Sequence, residues 1–522
     1  MRTNLHHLIE ERARSNPDSS ALSFKLDTLT YGELWARIRG FANGLEQLGV
    51  TREERVAVFL DKRFETVTAI FGTSAAGAAF VPVNPLLRSA QVGYILRDCG
   101  VRVLVTSPER LALLREELRS CPALEHVVLV GSPTDQDETD PHYVVHDWQT
   151  QTNSTNAAPS STAIDLDIAA ILYTSGSTGR PKGVVLSHRN LIVGAESVST
   201  YLRNTADDVV LAALPLSFDA GLSQLTTAFA VGAHVILMNY LLPQDVPRLC
   251  AKHGVTGLTC VPPLWVQIVE QKWSPEAKAS MRYFATTGGK MPKPILDRLR
   301  QMFPSAQPFL MYGLTEAFRS TYLDPAEIDR RPGSIGKAIP NAEILVLRPD
   351  GSPCDPGEEG ELVHRGPQVA LGYWNDPQRT AERFRPLPRH DEPWRTTELA
   401  VWSGDTVTTD PEGFLYFVGR RDEMIKTSGY RVSPTEVEDA AYATNLVRDA
   451  VALGVDDDTL GQHVLLVVAP AVENFDADAL LAQMNSALPP YMVPRSVVVR
   501  DAIPRSPNGK LDRNMLREEL AT

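Results

Sequence analysis

Cysteine is scarce in this sequence. Cys99, Cys121, Cys250, Cys260 and Cys354 are scattered, odd in number and include no C-x-x-C pair. That distribution excludes a disulfide scaffold and a cysteine-built zinc site, and fits reduced thiols. Long hydrophobic runs are missing as well: the most apolar stretch, TAIFGTSAAGAAFVPV, is short and rich in small residues, so no membrane span is expected. The start, MRTNLHHLIEERARSNPD, lacks the apolar centre of a secretion signal and predicts a short amphipathic helix. Excess positive charge is absent; a formal net charge of −13 argues against a nucleic-acid partner, which selects for a basic face. A cytoplasmic protein is expected.

What is present is length and alternation. A chain of 522 residues exceeds one hydrophobic core and predicts several lobes. Thr30 and Glu33 form a T-x-x-E capping box, and Leu34, Ile38, Phe41, Leu45 and Leu48 then recur at helical spacing until Gly49. RVAVFL, VRVLVTS, HVVLVGS, VVLAALP, HVILMN and GLTCVPP read as short strands between helical patterns. Strand–helix alternation predicts an α/β fold of parallel-rich layered subdomains. From about residue 333, Gly, Pro and short strands predict a small β-rich lobe. A second change of texture, at GRRDEMIKTSGYRV, predicts a large domain over 1–421 and a small mobile α+β domain over 422–522.

One stretch carries chemistry on its face. YTSGSTGRPKG follows the apolar strand IAAILY and interleaves glycines with hydroxyls before Lys182. It lacks the spacing of a Walker loop, yet Gly-rich backbone N–H groups, hydroxyl donors and one ammonium make a phosphate cradle.

The stretch resembles the signature loop of the adenylate-forming superfamily, which includes acyl-CoA synthetases, peptide-synthetase adenylation domains and luciferase. LPLSFDAGLSQ, MYGLTE, WSGD, GRRDEMIKTSGYRV and SPNGKLDR extend the resemblance through the chain in the same order. In finer detail, YGLTEAFRSTYL and ELAVWSGD are most similar to the exosortase-associated AMP-forming acyl-CoA ligase-like subgroup. The resemblance implies attack of a carboxylate on the α-phosphorus of ATP, then displacement of AMP by a thiol. It implies phosphate contacts from Thr174, Ser175, Gly176, Ser177, Thr178, Gly179 and Lys182, with Gly289, Tyr312 and Gly313 also at the nucleotide. Glu316 matches the Mg2+ ligand, Thr315 an α-phosphate contact, Asp405 the ribose acceptor, and Arg420 and Arg431 arginines of the nucleotide site. Lys510 matches the lysine that bridges carboxylate and α-phosphate, Asp422 the hinge, and Gly429 the tunnel through which the thiol enters.

The acid pocket, by the same alignment, comprises Phe218, Asp219, Ser223, Cys260, Ala285, Thr287, Met311, Arg319 and Ser320. This small, mixed set points to a small carboxylic or amino acid rather than a long fatty acid. Asp219 stands where peptide-synthetase domains bind an α-ammonium, or pairs internally with Arg319; Arg319 in turn could receive a second carboxylate. The acceptor is either coenzyme A or the phosphopantetheine arm of an acyl or peptidyl carrier protein, which LPPYMVP favours. Medium-chain or aryl acyl-CoA synthesis and an inactive nucleotide-binding homologue are the alternatives.

Overall fold

The computed structural model describes residues 2–132, 142–153, 162–174, 181–289, 291, 293–387, 394, 396–420, 424–504, 511 and 513–520. Among them are three sheets. The largest is parallel at its centre: Val209–Ala212, His234–Leu237, Gly257–Cys260, Tyr283–Thr286 and Gln307–Tyr312 run side by side. The first three are apolar runs flagged in the sequence, and Tyr283–Thr286 and Gln307–Tyr312 join them; the set is largely buried, as parallel strands between helices must be. From Thr321–Leu323 and Ser334–Ala338 onward the pairing turns antiparallel. The strands Gly360–Arg365, Leu399–Thr409 and Leu415–Arg420, from the Gly- and Pro-rich region, therefore continue the edge of this sheet.

The second sheet is also parallel-rich, through Ile168–Thr174, Ala79–Pro82, Arg55–Val58, Val103–Thr106 and His126–Leu129. Helices fill the space between the two sheets. Phe64–Ala75, which carries the first half of the stretch TAIFGTSAAGAAFVPV, is almost wholly buried there, with Phe71 edge-on to Phe229 of the helix Asp219–Val231. Tyr31–Gln47 starts on the expected capping box, with both Thr30–Glu33 bonds formed. Each buried aromatic in this layer is worth ~1.5–3 kcal/mol over exposure. No described helix is long and apolar enough to cross a membrane.

A third, separate sheet follows. Val447–Asp457 and Gly461–Pro470 form a long antiparallel pair, flanked by the short hairpin Ile425–Thr427 and Tyr430–Val432. The helices Pro434–Ala443 and Ala477–Ala487 cover one face, where Val437, Ala441, Leu480 and Met484 meet Ala450, Leu466 and Val468. The chain is thus a large α/β body followed by a small α+β unit with its own core.

Candidate active site

The two strands either side of the Gly-rich stretch, Ile168–Thr174 and Lys182–Ser187, are antiparallel neighbours with Thr174 opposite Lys182. The stretch therefore connects strand to strand, whereas a Walker loop opens a helix. Tyr173, Thr174 and Pro181 line a cavity of about 1600 Å³. Thr174 Oγ1 is buried with no partner among the described residues. Ser175, Gly176, Ser177, Thr178 and Gly179 lie outside the described residues.

The antiparallel pairing delivers Lys182 to Glu316. Its Nζ donates to Glu316 Oε1 at 2.9 Å and to the Tyr373 hydroxyl at 2.8 Å, and Tyr373 donates to the same Oε1 at 2.6 Å. Burial pushes the Glu316 carboxyl upward, but the adjacent ammonium and the Tyr373 hydroxyl outweigh it and hold the group at about 2. Glu316 is therefore a carboxylate at every working pH. The Lys182 and Tyr373 contacts both fall on Oε1, which leaves Oε2 turned to neither and available to a hard cation. These residues fit Mg2+.

The nucleotide wall forms where the strand Gln307–Tyr312 ends. Tyr312, Gly313 and Thr315 line the cavity, and Thr315 opens a one-turn helix that also carries Glu316. The Tyr312 hydroxyl donates to Asp405 Oδ2, and Asp405 itself is buried in the strand Leu399–Thr409. Gly289, Asp405 and Arg431 also line the cavity. Arg420 sits opposite Asp405 in strand register. Asp422 and Lys510 fall outside the described residues.

Of the residues expected at the acid, Phe218, Asp219, Thr287, Met311 and Arg319 line the cavity. Ser223, Cys260, Ala285 and Ser320 are not among the described lining residues and pack into the interior. Ser223 Oγ meets Thr227 Oγ1 at 3.3 Å, and Ser320 Oγ meets His364 Nδ1 at 3.0 Å. The Ala285 carbonyl accepts from Trp265 Nε1, and burial pushes the Cys260 thiol well above its ordinary range. Asp219 is paired: Arg319 Nη1 donates to its Oδ2 at 2.7 Å.

Two residues at the site carried no signal in the sequence. Tyr373 is one. The other is Lys62, a buried lining residue whose Nζ donates to the carbonyls of Ala212, Ala213 and Leu214 at 2.8, 2.8 and 3.0 Å. Burial pushes its ammonium down to about 7. A neutral amine has only two N–H groups and cannot serve all three carbonyls. Lys62 thus ties down the turn that leads to Phe218 and Asp219.

The small unit is docked with its hairpin tip at the cavity. Ser428 and Gly429, at φ 53° and 82°, form a two-residue turn between Thr427 and Tyr430. Tyr430 stands edge-on to Phe218 at 4.8 Å and stacks on Tyr491 at 3.7 Å. Farther out, Arg88 Nη2 donates to the Asn485 carbonyl at 3.1 Å and Gln91 Nε2 to Glu436 Oε1 at 2.7 Å.

Glu436 is expected to make this docking pH-dependent. Burial at the junction holds its carboxyl above the ordinary range, at about 7, with Gln91 opposing and Asp439 adding to the shift. Released into water, the group returns to about 4.3. Between these values the docked form binds more protons, so docking weakens as pH rises through the window and levels off above it. Energy transfer between dyes on the two units is expected to report a falling docked fraction from about pH 5 to about pH 8. Glu436→Gln should flatten the curve, and an unchanged curve would reject the assignment.

Residues 9–374 match the AMP-binding enzyme family, and residues 436–510 match the AMP-binding enzyme C-terminal domain. Surfactin synthase subunit 2 of Bacillus subtilis (strain 168) is 30% identical over 520 residues, covering 98% of this chain; the chain spans only 14% of that protein's length. Feruloyl-CoA synthase of Amycolatopsis sp is 31% identical over 518 residues, covering 98% of this chain and 97% of the relative. The fold superposes on o-succinylbenzoate CoA synthetase of Bacillus subtilis, bound to a product analogue, with TM-score 0.83 and 27% identity over 98% of both chains. A family match over most of the large body and a second over the small unit agree with the motif order and with the cavity between them, and the chain belongs to the AMP-binding enzyme family.

Proposed function

We propose that this chain is an AMP-forming ligase. It activates a small carboxylic or amino acid with ATP to an acyl-adenylate, and passes the acyl group to a phosphopantetheine thiol of coenzyme A or a carrier protein. The reading rests on one observation above all: an ionised, buried Glu316 is held beside Lys182 on the loop's return strand, next to a cavity that Tyr312, Thr315 and Asp405 line. Cation and carboxylate at the end of a phosphate cradle suit a displacement in which pyrophosphate leaves, a reaction driven by positioning and charge stabilisation.

Lys182 and the loop would hold the β- and γ-phosphates, Thr315 the α-phosphate, and Asp405 the ribose hydroxyls. Mg2+, held by Glu316, would neutralise charge on the triphosphate. Lys510 would bridge the acid and the α-phosphate. After adenylation, rotation at Asp422 would exchange Lys510 for the Gly429 turn, so 1–421 and 422–522 act as body and lid. A cytoplasmic location is part of this proposal.

The test is a pyrophosphate-exchange screen over amino acids, dicarboxylates and short acyl or aryl acids, followed by thioester assays with coenzyme A and a phosphopantetheinylated carrier. Failure of every acid to yield AMP sinks the reading. Glu316→Gln is expected to cut exchange about 10²-fold, the size of one lost charge-stabilising contact, and to raise the Mg2+ concentration required. A Mg2+ titration that does not move would remove Glu316 from the cation.

A further inference from the structure

Resting on the adenylation reading, the geometry points to a narrower substrate: an amino acid that bears a second, non-reacting carboxylate. Its ammonium would be taken by Asp219 and its spare carboxylate by Arg319.

The two side chains form an ion pair on the cavity wall, and each is only partly used. Arg319 spends Nη1 on Asp219 Oδ2 at 2.7 Å and on the Phe318 carbonyl at 2.8 Å. Its Nε is buried with no partner, and Nη2 has none among the described residues either. Nε and Nη2 form the edge on which a guanidinium meets a carboxylate side by side. On the other partner, Asp219 Oδ1 has no described partner. The pair therefore keeps an unused acceptor on Asp219 Oδ1 and unused donors on Arg319 Nε and Nη2.

The backbone works to keep Arg319 there. Phe318, a non-glycine residue, sits at φ 59° and ψ −60°, and Arg319 N–H closes back on the Ala317 carbonyl at 2.6 Å. This is a γ-turn of the rare, strained hand, which persists only where surrounding structure enforces it. Gly194 and Gly313 leave the room that this packing needs. A Cβ on Gly194 would lie 2.4 Å from the Phe318 ring, and one on Gly313 would lie 2.9 Å from the Arg319 Cα. With Arg319 3% exposed, its guanidinium is fixed at the wall rather than sampling solvent.

Charge balance then selects the ligand. The pair is neutral, so a ligand carrying only an ammonium would draw Asp219 away and leave a buried guanidinium uncompensated. A ligand carrying only a spare carboxylate would leave Asp219 in the same position. Either mismatch strands a buried charge, which is costly. An amino dicarboxylic acid supplies both counter-charges and leaves its reacting carboxylate for the adenylation centre.

Pyrophosphate exchange on the full chain, with ATP, Mg2+ and aspartate, glutamate, alanine, succinate or butyrate, tests this. Aspartate or glutamate should exceed alanine and succinate about 10⁴-fold in kcat/KM, the scale for a site whose buried polar groups would otherwise go unpaired. R319M should lower the amino dicarboxylic acid to the level of alanine, mainly through KM, and R319K should recover part of the loss. Alanine, succinate or butyrate matching or exceeding both amino dicarboxylic acids would overturn the inference and leave adenylation standing. Exchange with none of a wider acid panel would overturn the adenylation reading, and this inference with it. The unaltered chain decides between these outcomes even if R319M fails to fold.

Discussion

Lys510→Ala is expected to lower carboxylate-dependent pyrophosphate exchange about 10³-fold while leaving thioester formation from supplied acyl-adenylate nearly intact. The reacting acid and the α-phosphate are both anions, and two unit charges about 4 Å apart repel by ~4 kcal/mol at an effective dielectric constant near 20. Each ~1.4 kcal/mol of barrier is tenfold in rate, so one well-placed ammonium accounts for about three decades. A lysine suits the task because its compact ammonium has three rotatable donors. The chain just past Lys510 is anchored to the small unit: Leu511 packs with Val451, Leu453 and Leu516, and Arg513 Nη2 donates to Glu438 Oε2 at 2.7 Å. Lys510, the residue before Leu511 in the chain, is therefore expected to travel with that unit. Unimpaired exchange in the variant would remove the lysine from the reaction.

Gly429→Leu should do the reverse, sparing adenylation and cutting thioester formation about 10²- to 10³-fold. A Cβ on Gly429 would lie 2.7 to 2.9 Å from three side-chain atoms of Val261, and the residue's φ is +82°. Forcing a branched side chain into that contact costs ~1–3 kcal/mol for overpacking, and the left-handed backbone adds ~1–2 kcal/mol. The overpacking penalty falls on the docked arrangement seen here, with Tyr430 against Phe218, whereas the backbone penalty belongs to the hairpin in either arrangement. An adenylating arrangement that withdraws the turn escapes the clash. Single-turnover assays of each half-reaction on one preparation check this, since retained adenylation also certifies folding. Equal loss in both halves would take Gly429 out of the thiol path.

Much of the fold was legible because its signals are local. The Thr30–Glu33 cap spans three residues, and both of its bonds are present. Short apolar runs bounded by turn residues became the buried parallel strands. The region after about residue 333 was less legible. Its strands were read as a β-rich lobe, and what the residues left open is that pairing of Ser334–Ala338 with Thr321–Leu323 and with Leu415–Arg420 joins them to the parallel sheet. Strand partners that far apart leave no mark on the periodicity of either segment.

The same division runs through the site. By themselves the residues determined the phosphate stretch, the order of the motifs and hence the family, because a loop that wraps an anion needs glycines, hydroxyls and a cation at close spacing. Only the tertiary structure decided that Asp219 is paired with Arg319, 100 positions away, and that Lys182 shares Glu316 with Tyr373, 191 positions away. It alone caged Lys62 with carbonyls beginning 150 positions on, and seated the Gly429 turn against Val261. A buried charge takes whichever partner the packed chain brings within about 3 Å, and that is set by how sheets and lobes close together rather than by neighbours in the sequence.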